Sequence, residues 1–385
     1  MEIVIKNPDE KALRAHLAAR KDSEARRIER FMAMPDLSRA TDSPIGDLVT
    51  RLKDLPDFKG FDTVETPEIV PTSITFDLFD FTADHPARSK SDTYYVDEKH
   101  ILRTHTTIMW YYYLDNLEIK ERMAKGEIVG ALSYGKVYRK DEIDRNHMNV
   151  FHQIDGWLLA PKDKRVIGKQ DLEEVLVSIA KSVFGPNVEY RLNPDNFPYT
   201  DPSLEMEIKI GPSTSSGQAK WVEVLGSGVV RGSVLKKLGV DPEKWTGWAF
   251  GFGLERLAIL SMELPDIRLL WSDDPRVKKQ LKLGQKFKEV SKYPAIVRDI
   301  SFIVPNSFIP NNYFDLIRDI GGNLVEEVSL TDKYENAAKF GADKLSYTYR
   351  IIYRSVEKTL TNEEADTIHK QVEAETKKQF QAEIR

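Results

Sequence analysis

The sequence predicts an α+β protein built as an antiparallel sheet flanked by helices, followed by a smaller C-terminal unit of β-α-β-β-α-β order. Three observations predict it. Between Ala131 and Leu225 most apolar residues alternate with polar ones, run after run, as in hairpin-linked strands. One stretch departs from this, with Leu172, Val175, Leu176, Ile179, Ala180 and Val183 at the spacing of a core-facing helix. Beyond a basic stretch at 272–292 the texture changes to short strands and two helices.

Composition bounds the rest. The chain has 385 residues, 41% hydrophobic and 30% charged, enough for two or three globular domains and unlike collagen, coiled coil or a disordered chain. No run approaches a bilayer-spanning segment of roughly 20 apolar residues, so no membrane partner is expected, and a soluble intracellular protein is. With no cysteine, disulfides, thiolate metal sites and cysteine nucleophiles are excluded, and any metal must sit on oxygen or imidazole. A net charge of −5 argues against nonspecific coating of nucleic acid, while a local basic face remains able to grip a phosphate backbone.

In chain order, residues 7–34 are dense in helix formers with a thin apolar stripe at Leu13, Leu17 and Ile28, which predicts an exposed, arm-like helix. Ser43-Pro44 starts a second helix carrying Ile45, Leu48, Val49 and Leu52, and Phe61 to Glu65 follows as a short strand. Leu204, Met206, Ile208 and Ile210 face one way along a strand and Glu205, Glu207 and Lys209 the other; Trp221 to Leu225 repeats the pattern with Glu223 on its polar side. Gly211 to Gln218 is read as a mobile polar hairpin loop. Strand 297–304, helix 311–320, strands 324–334 and 345–353, helix 362–380 and a terminal strand at 382–385 complete the C-terminal order, which is ferredoxin-like. The expected domains are therefore a helical extension at 1–42, a sheet domain at 43–271, a basic linker at 272–292 and the small domain at 293–385.

Three places carry candidate chemistry. Arg139 sits in a charged turn after a strand, and the returning strand puts Phe151, Gln153 and Asp155 on one face, an aromatic, an amide and a carboxylate together. A strand running Trp248 to Gly253 passes through glycines into a helix bearing Arg256 in its first turn, where backbone and guanidinium can meet phosphate. It lacks the third glycine of a dinucleotide fingerprint and the lysine of a P-loop. Phe197 and Tyr199, two apart, can wall a pocket for another ring. Taken singly each has a plainer reading, respectively a surface hairpin, packing glycines and a proline-rich turn. The histidines show no ligand spacing.

Together, and in order, these features resemble motifs 2 and 3 of the class II aminoacyl-tRNA synthetases, specifically the single-chain, mitochondrial-type phenylalanyl-tRNA synthetases. The resemblance runs from about Pro44 to the C-terminus on His85-Pro86-Ala87-Arg88, Leu102-Arg103-Thr104-His105-Thr106, Phe151-His152-Gln153, Phe197-Pro198-Tyr199-Thr200, Gly247-Trp248-Ala249-Phe250-Gly251, Leu254-Glu255-Arg256-Leu257, Tyr293-Pro294-Ala295 and Arg298-Asp299-Ile300. It implies a class II catalytic sheet, an anticodon-binding ferredoxin-like domain, and a ligase that joins L-phenylalanine to tRNA(Phe) through an adenylate, using ATP and Mg2+.

The resemblance also implies roles. Arg139 and Arg256 are the catalytic residues. Arg139 would hold the α-phosphate with Asp141 and His147 beside the nucleotide; Phe151 would stack on adenine and Arg256 on its other face. Glu207 and Glu223 would serve the metal, Glu223 also the nucleotide. His105, Thr107, Gln153 and Asp155 would surround the amino acid's charged groups, Phe197 and Tyr199 would pack against its ring, and Ala249 would floor the pocket. Apart from the resemblance, the residues themselves make Arg350, Arg354, Lys358 and the basic linker the expected tRNA contacts, since attraction to phosphate demands less geometry than base recognition. Asp155, Thr107 and Tyr199 stand where the family commonly has Glu, Ser and Phe. A monomer without a separate editing domain is implied, in the mitochondrial matrix or a bacterial cytoplasm, since the mixed-charge start is unlike a transit peptide. The rivals are a noncatalytic RNA-binding paralogue and a relative charging another aromatic amino acid.

Overall fold

The computed structural model describes residues 1–140, 145–211, 219–308, 310–341, 343–355 and 357–385, which places the Asp141 position and most of the 211–218 loop outside the described residues. The chain divides into two compact units, Met1–Phe287 and Lys288–Arg385. The first comprises β1 (Glu2–Val4), α1 (Glu10–Ala19), α2 (Ser23–Ala33), α3 (Pro44–Lys53), β2 (Asp62–Glu65), β3 (Ile69–Pro71), β4 (His100–Leu102), α4 (Met109–Asp115) and α5 (Leu117–Ala124). It continues with β5 (Val129–Tyr138), β6 (Val150–Pro161), α6 (Lys169–Phe184), β7 (Tyr190–Asp195), β8 (Thr200–Ile210), β9 (Lys220–Val230), α7 (Gly232–Lys237), β10 (Trp245–Gly253), α8 (Leu254–Met262) and α9 (Pro275–Lys278).

Eight strands form one sheet in the order β1-β2-β5-β6-β10-β9-β8-β7. From β5 to β7 every pairing is antiparallel, as the alternation predicts, but β1 on β2 and β2 on β5 are parallel, so the sheet is mixed at one edge. Helices α3, α6 and α8 pack together against one face. All six apolar residues predicted for α6 are buried there, each worth roughly 1.5–3 kcal/mol where the side chain is large. On the opposite face Trp110 of α4 stacks on Trp157 of β6 with ring centroids 4.9 Å apart, next to Ala249 of β10. That packing makes a firm floor for whatever lies beyond it.

The N-terminal stretch departs from expectation. It is two helices broken at Lys21, with Asp22 capping α2 by accepting from Ala25 N at 2.9 Å. The stripe of Leu13, Leu17 and Ile28, joined by Ala25 and Phe31, is buried in one cluster with Tyr94, Leu102, Tyr138 and Val150. A stripe too thin to hold a free helix together is sufficient for two short helices laid on an existing apolar surface. The stretch expected as a bare linker likewise carries buried Val277, Leu281 and Phe287.

The second unit contains β11 (Ile296–Pro305), α10 (Pro310–Gly321), β12 (Val325–Tyr334), α11 (Ala337–Phe340), β13 (Lys344–Tyr353), α12 (Asn362–Phe380) and β14 (Glu383–Ile384). Its strand order, β12-β13-β11-β14, with antiparallel pairing throughout, is the ferredoxin-like arrangement the sequence predicts. Tyr347, Tyr349, Ile351 and Tyr353 face the helices as core. A capping box starts α12, Thr361 accepting from Glu364 N and Glu364 from Thr361 N.

Candidate active site

A cavity of about 400 Å3 opens on the face of the large sheet at the adjoining ends of β6, β9 and β10. It is lined by His105, Thr107, Arg139, His147, Phe151, Gln153, Asp155, Phe197, Tyr199, Glu223, Ala249 and Arg256, all predicted from the sequence, and by Phe81 and Glu255, which were not assigned roles. Strand pairing explains the convergence. Gly251 opposes Asp155 and Gly253 opposes Gln153 on one side of β6, while Ala249 opposes Gly228 of β9 on the far side of β10. Period-2 geometry therefore sends Phe151, Gln153 and Asp155 out of one face beside a strip of small residues that leaves the space open.

One end of the cavity is aromatic. Phe197 and Tyr199 stack at 6.1 Å, and Tyr199 meets Phe79, Phe81 and Trp110 at 5.7, 6.4 and 6.0 Å. The Phe197 ring lies over Gly226, where a Cβ would come within 2.6 Å of it. Phe79 and Phe81 were missed. Phe76, Phe79 and Phe81 in one short stretch are the signal that could have found them.

The aromatic end grades into a buried polar cluster. Asp155 is 5% exposed; Thr107 donates to its Oδ1 at 2.7 Å and Thr106 donates to Oδ2. Burial raises its carboxyl to about 6, against the pull of the two threonines and Arg139. Burial, helped by the Arg139 charge, holds His105 down at about 3. Its Nε2–H donates to Thr75 O at 3.3 Å, so Nδ1 is an acceptor. That Nδ1 and Gln153 Oε1 are both buried without a partner among the described residues. Burial also pushes the Tyr199 phenol well above its usual range.

The other end is cationic. Arg139 Nε donates to Thr104 O at 3.0 Å and its guanidinium carbon lies 5.3 Å from the Phe151 ring centre. Arg256 donates to Glu223 O at 3.2 Å and lies 3.8 Å from the Glu223 carboxylate, with 47% of its side chain exposed. Glu207 is not part of the lining. Its carboxylate is taken by Arg191 and by Asn193, which donates at 2.6 Å, and among the described residues no group of three or more His, Asp or Glu is set to hold a metal ion. Of the two carboxylates expected to serve a metal, Glu223 alone faces the cavity, a donor set that suits a magnesium ion carried in on phosphates rather than one caged by protein.

In the second unit Arg350 pairs with Asp299 through two bonds of 2.8 Å, Arg354 with Glu326 at 3.0 Å and with Tyr293 O, and Lys358 with Glu364. Arg350 and Lys358 remain exposed; Arg354 is largely covered and ties strand to loop.

Comparison with known proteins agrees with this geometry. Residues 28–281 match the family described as tRNA synthetases class II core domain (F), and residues 291–385 match the ferredoxin-fold anticodon binding domain. The chain is 38% identical to the chloroplastic/mitochondrial phenylalanine–tRNA ligase of Arabidopsis thaliana, covering 91% of this chain and 80% of that protein. It is 34% identical to the probable mitochondrial enzyme of Drosophila melanogaster, covering 82% and 77%, and 35% identical to the mitochondrial enzyme of Mus musculus, covering 80% and 72%. Among solved structures, pyrrolysyl-tRNA synthetase from Desulfitobacterium hafniense overlays with a TM-score of 0.44 at 19% identity, covering 64% of this chain and 78% of that one, too loose a likeness to bear on the assignment. The chain belongs to the phenylalanine–tRNA ligase family, with a class II catalytic core followed by a ferredoxin-fold anticodon-binding domain.

Proposed function

We propose that this chain charges tRNA(Phe) in two steps within the cavity. The carboxylate of L-phenylalanine attacks the α-phosphorus of ATP and expels pyrophosphate. A hydroxyl of the tRNA terminal ribose then attacks the adenylate carbonyl and releases AMP. No protein base is needed for the first step, so catalysis comes from alignment and charge stabilisation. Arg139 meets the α-phosphate, Phe151 stacks on one face of adenine and Arg256 on the other, His147 borders the nucleotide, and Glu223 would hold a magnesium ion, which would offset negative charge on the phosphates. A guanidinium suits both arginine positions because it stacks and forks where an ammonium cannot.

The observation that carries the reading is the cavity's gradient. His105 Nδ1, Gln153 Oε1 and the Asp155 carboxylate are buried acceptors lining the same cavity, a set that suits an ammonium. The stacked Phe197 and Tyr199 beside Ala249 suit a benzyl ring. The test is pyrophosphate exchange across the amino acids, with phenylalanine expected to dominate; silence with every amino acid would favour the RNA-binding rival, and tyrosine in first place the other.

Two predictions follow from the pocket. Asp155 must be ionised to hold an ammonium, so kcat/KM for phenylalanine should fall about tenfold per pH unit below about 6. An acid limb near the ordinary carboxylate value would contradict the burial argument. The same charge burdens the empty fold. A carboxyl raised from 3.8 to about 6 means that this one group's contribution to the stability of the ligand-free fold rises as pH falls through that window, by roughly 3 kcal/mol, because the folded state takes up the proton first. Secondly, Ala249→Gly should admit para-substituted phenylalanines, since Ala249 is buried between Gly228 and Trp157. Adenylation of para-chlorophenylalanine relative to phenylalanine should rise at least about tenfold, the scale of one methyl group's worth of room. Unchanged discrimination would move the ring elsewhere.

The relatives' names place them in mitochondria and chloroplasts, and a mitochondrial matrix setting is the reading adopted for this chain, acting as a monomer. Arg350 and Lys358, exposed on the small unit, are the proposed tRNA contacts there, with Arg354 supporting them.

A further inference from the structure

The β10–β6 ladder ends at Gly253 opposite Gln153. One residue earlier on β6, the His152 N–H has no strand carbonyl to meet on that side. Instead it donates to both carboxylate oxygens of Glu255, at 3.0 and 2.8 Å, so a side chain from the first turn of α8 stands where the next rung would be. His152 Nδ1–H donates to the same carboxylate at 2.6 Å. The ring is wholly buried and Glu255 is 3% exposed. On the ring's far side Nε2 meets Leu37 N at 3.0 Å and Asp36 Oδ1 at 3.3 Å, accepting from the first when neutral and donating to the second when protonated. Burial works against the charge, but Glu255 and Asp36 outweigh it and raise the imidazole to about 9. Trp271 closes the cluster, stacked on His152 at 5.4 Å.

The neighbours give the cluster a use. Glu255 precedes Arg256, and His152 follows Phe151. We infer that Asp36, His152 and Glu255 are positioning residues that fix the start of α8 against β6 and so set Arg256 opposite Phe151, making the segment after α2 part of the nucleotide site although it does not line the cavity. The amino acid side is insulated. Gln153 and Asp155 lie within paired strands on both sides, and Asp155 is separately held by Thr106 and Thr107. Releasing the clamp therefore loosens the first turn of α8, whose later turns stay packed on α3 and α6, while β6 stays in register.

This rests on the reading that Arg256 and Phe151 hold ATP, and the two fail differently. Wild-type exchange activity with ATP and phenylalanine tests that reading; the variants test the clamp. Glu255→Asp keeps the charge and shortens the reach. In pyrophosphate exchange it should raise KM for ATP by at least about tenfold while KM for phenylalanine stays within about twofold, the mark of a lost interaction with one substrate. Glu255→Gln, which keeps the length, should restore much of the ATP affinity. Asp36→Asn, outside the cavity, should shift KM for ATP in the same direction by a smaller factor, and it carries the test if Glu255→Asp does not fold. An unchanged KM for ATP in Asp36→Asn, or equal losses for both substrates with a lowered melting temperature, overturns the proposal.

Discussion

Arg139→Ala should lower kcat/KM for ATP in pyrophosphate exchange by about 10²- to 10³-fold, the scale on which removing one preorganised donor to a developing anion is felt. The side chain does two things at once. Its Nε donates to Thr104 O at 3.0 Å, and its guanidinium carbon lies 5.3 Å from the Phe151 ring centre, on the border of the cavity. That bond also holds the segment leading to His105 and Thr107, so the phenylalanine side should suffer too, by a smaller factor. Arg139→Lys is expected to recover little, because one ammonium cannot satisfy the Thr104 carbonyl, lie flat on the ring and fork toward phosphate together. A lysine variant within about threefold of wild type would reduce Arg139 to a plain positive charge. The two substrates' unequal losses also separate this effect from a folding defect, which would reduce both through the amount of active protein.

Period and punctuation were the readable part of this chain. Alternation located β6, β8 and β9, helical spacing located α6, and the glycine strand running into Leu254-Glu255-Arg256 located β10 and α8. Those patterns are local, and each reports a face. What they could not report is which distant surface a face meets. The stripe of Leu13, Leu17 and Ile28 has the same spacing whether its helix waves in water or lies on Tyr94 and Tyr138, and only the folded chain distinguishes the two. The parallel strand β1 is three residues long, shorter than any period can establish. The contacts of His152 with Asp36 and Glu255 cross 116 and 103 positions of sequence, and a histidine inside an alternating strand gives no hint that its own backbone bond will go to a side chain. Candidate residues were gathered into the cavity in proportion to how far strand pairing alone brings them together. Glu207 shows the converse, since it occupies the expected polar side of β8 yet is drawn off by Arg191 and Asn193 on the neighbouring strand.

Gly251→Ala should abolish most phenylalanine activation while leaving ATP binding in place. The added Cβ would lie 2.4 Å from Asp155 Oδ1 and 3.0 Å from its Cγ, well inside contact distance, and neither partner can step back. Gly251 is paired on both sides, to Asp155 of β6 and Gly226 of β9, so moving its strand disturbs two ladders. The carboxylate can turn away only by giving up Thr107, at 2.7 Å, or Thr106. A buried carboxylate deprived of a donor costs about 1–3 kcal/mol or more, and overpacking adds a comparable amount. The substrate ammonium would then find its counter-charge displaced by more than hydrogen-bond tolerance allows. We expect kcat/KM for phenylalanine to fall by at least about 10²-fold, with KM for ATP within about twofold of wild type and a melting temperature lowered by several degrees. Normal phenylalanine kinetics in a folded Gly251→Ala protein would mean that Asp155 does not meet the amino acid. The acid limb near pH 6 would then vanish with it, since both depend on that one carboxylate facing the ammonium.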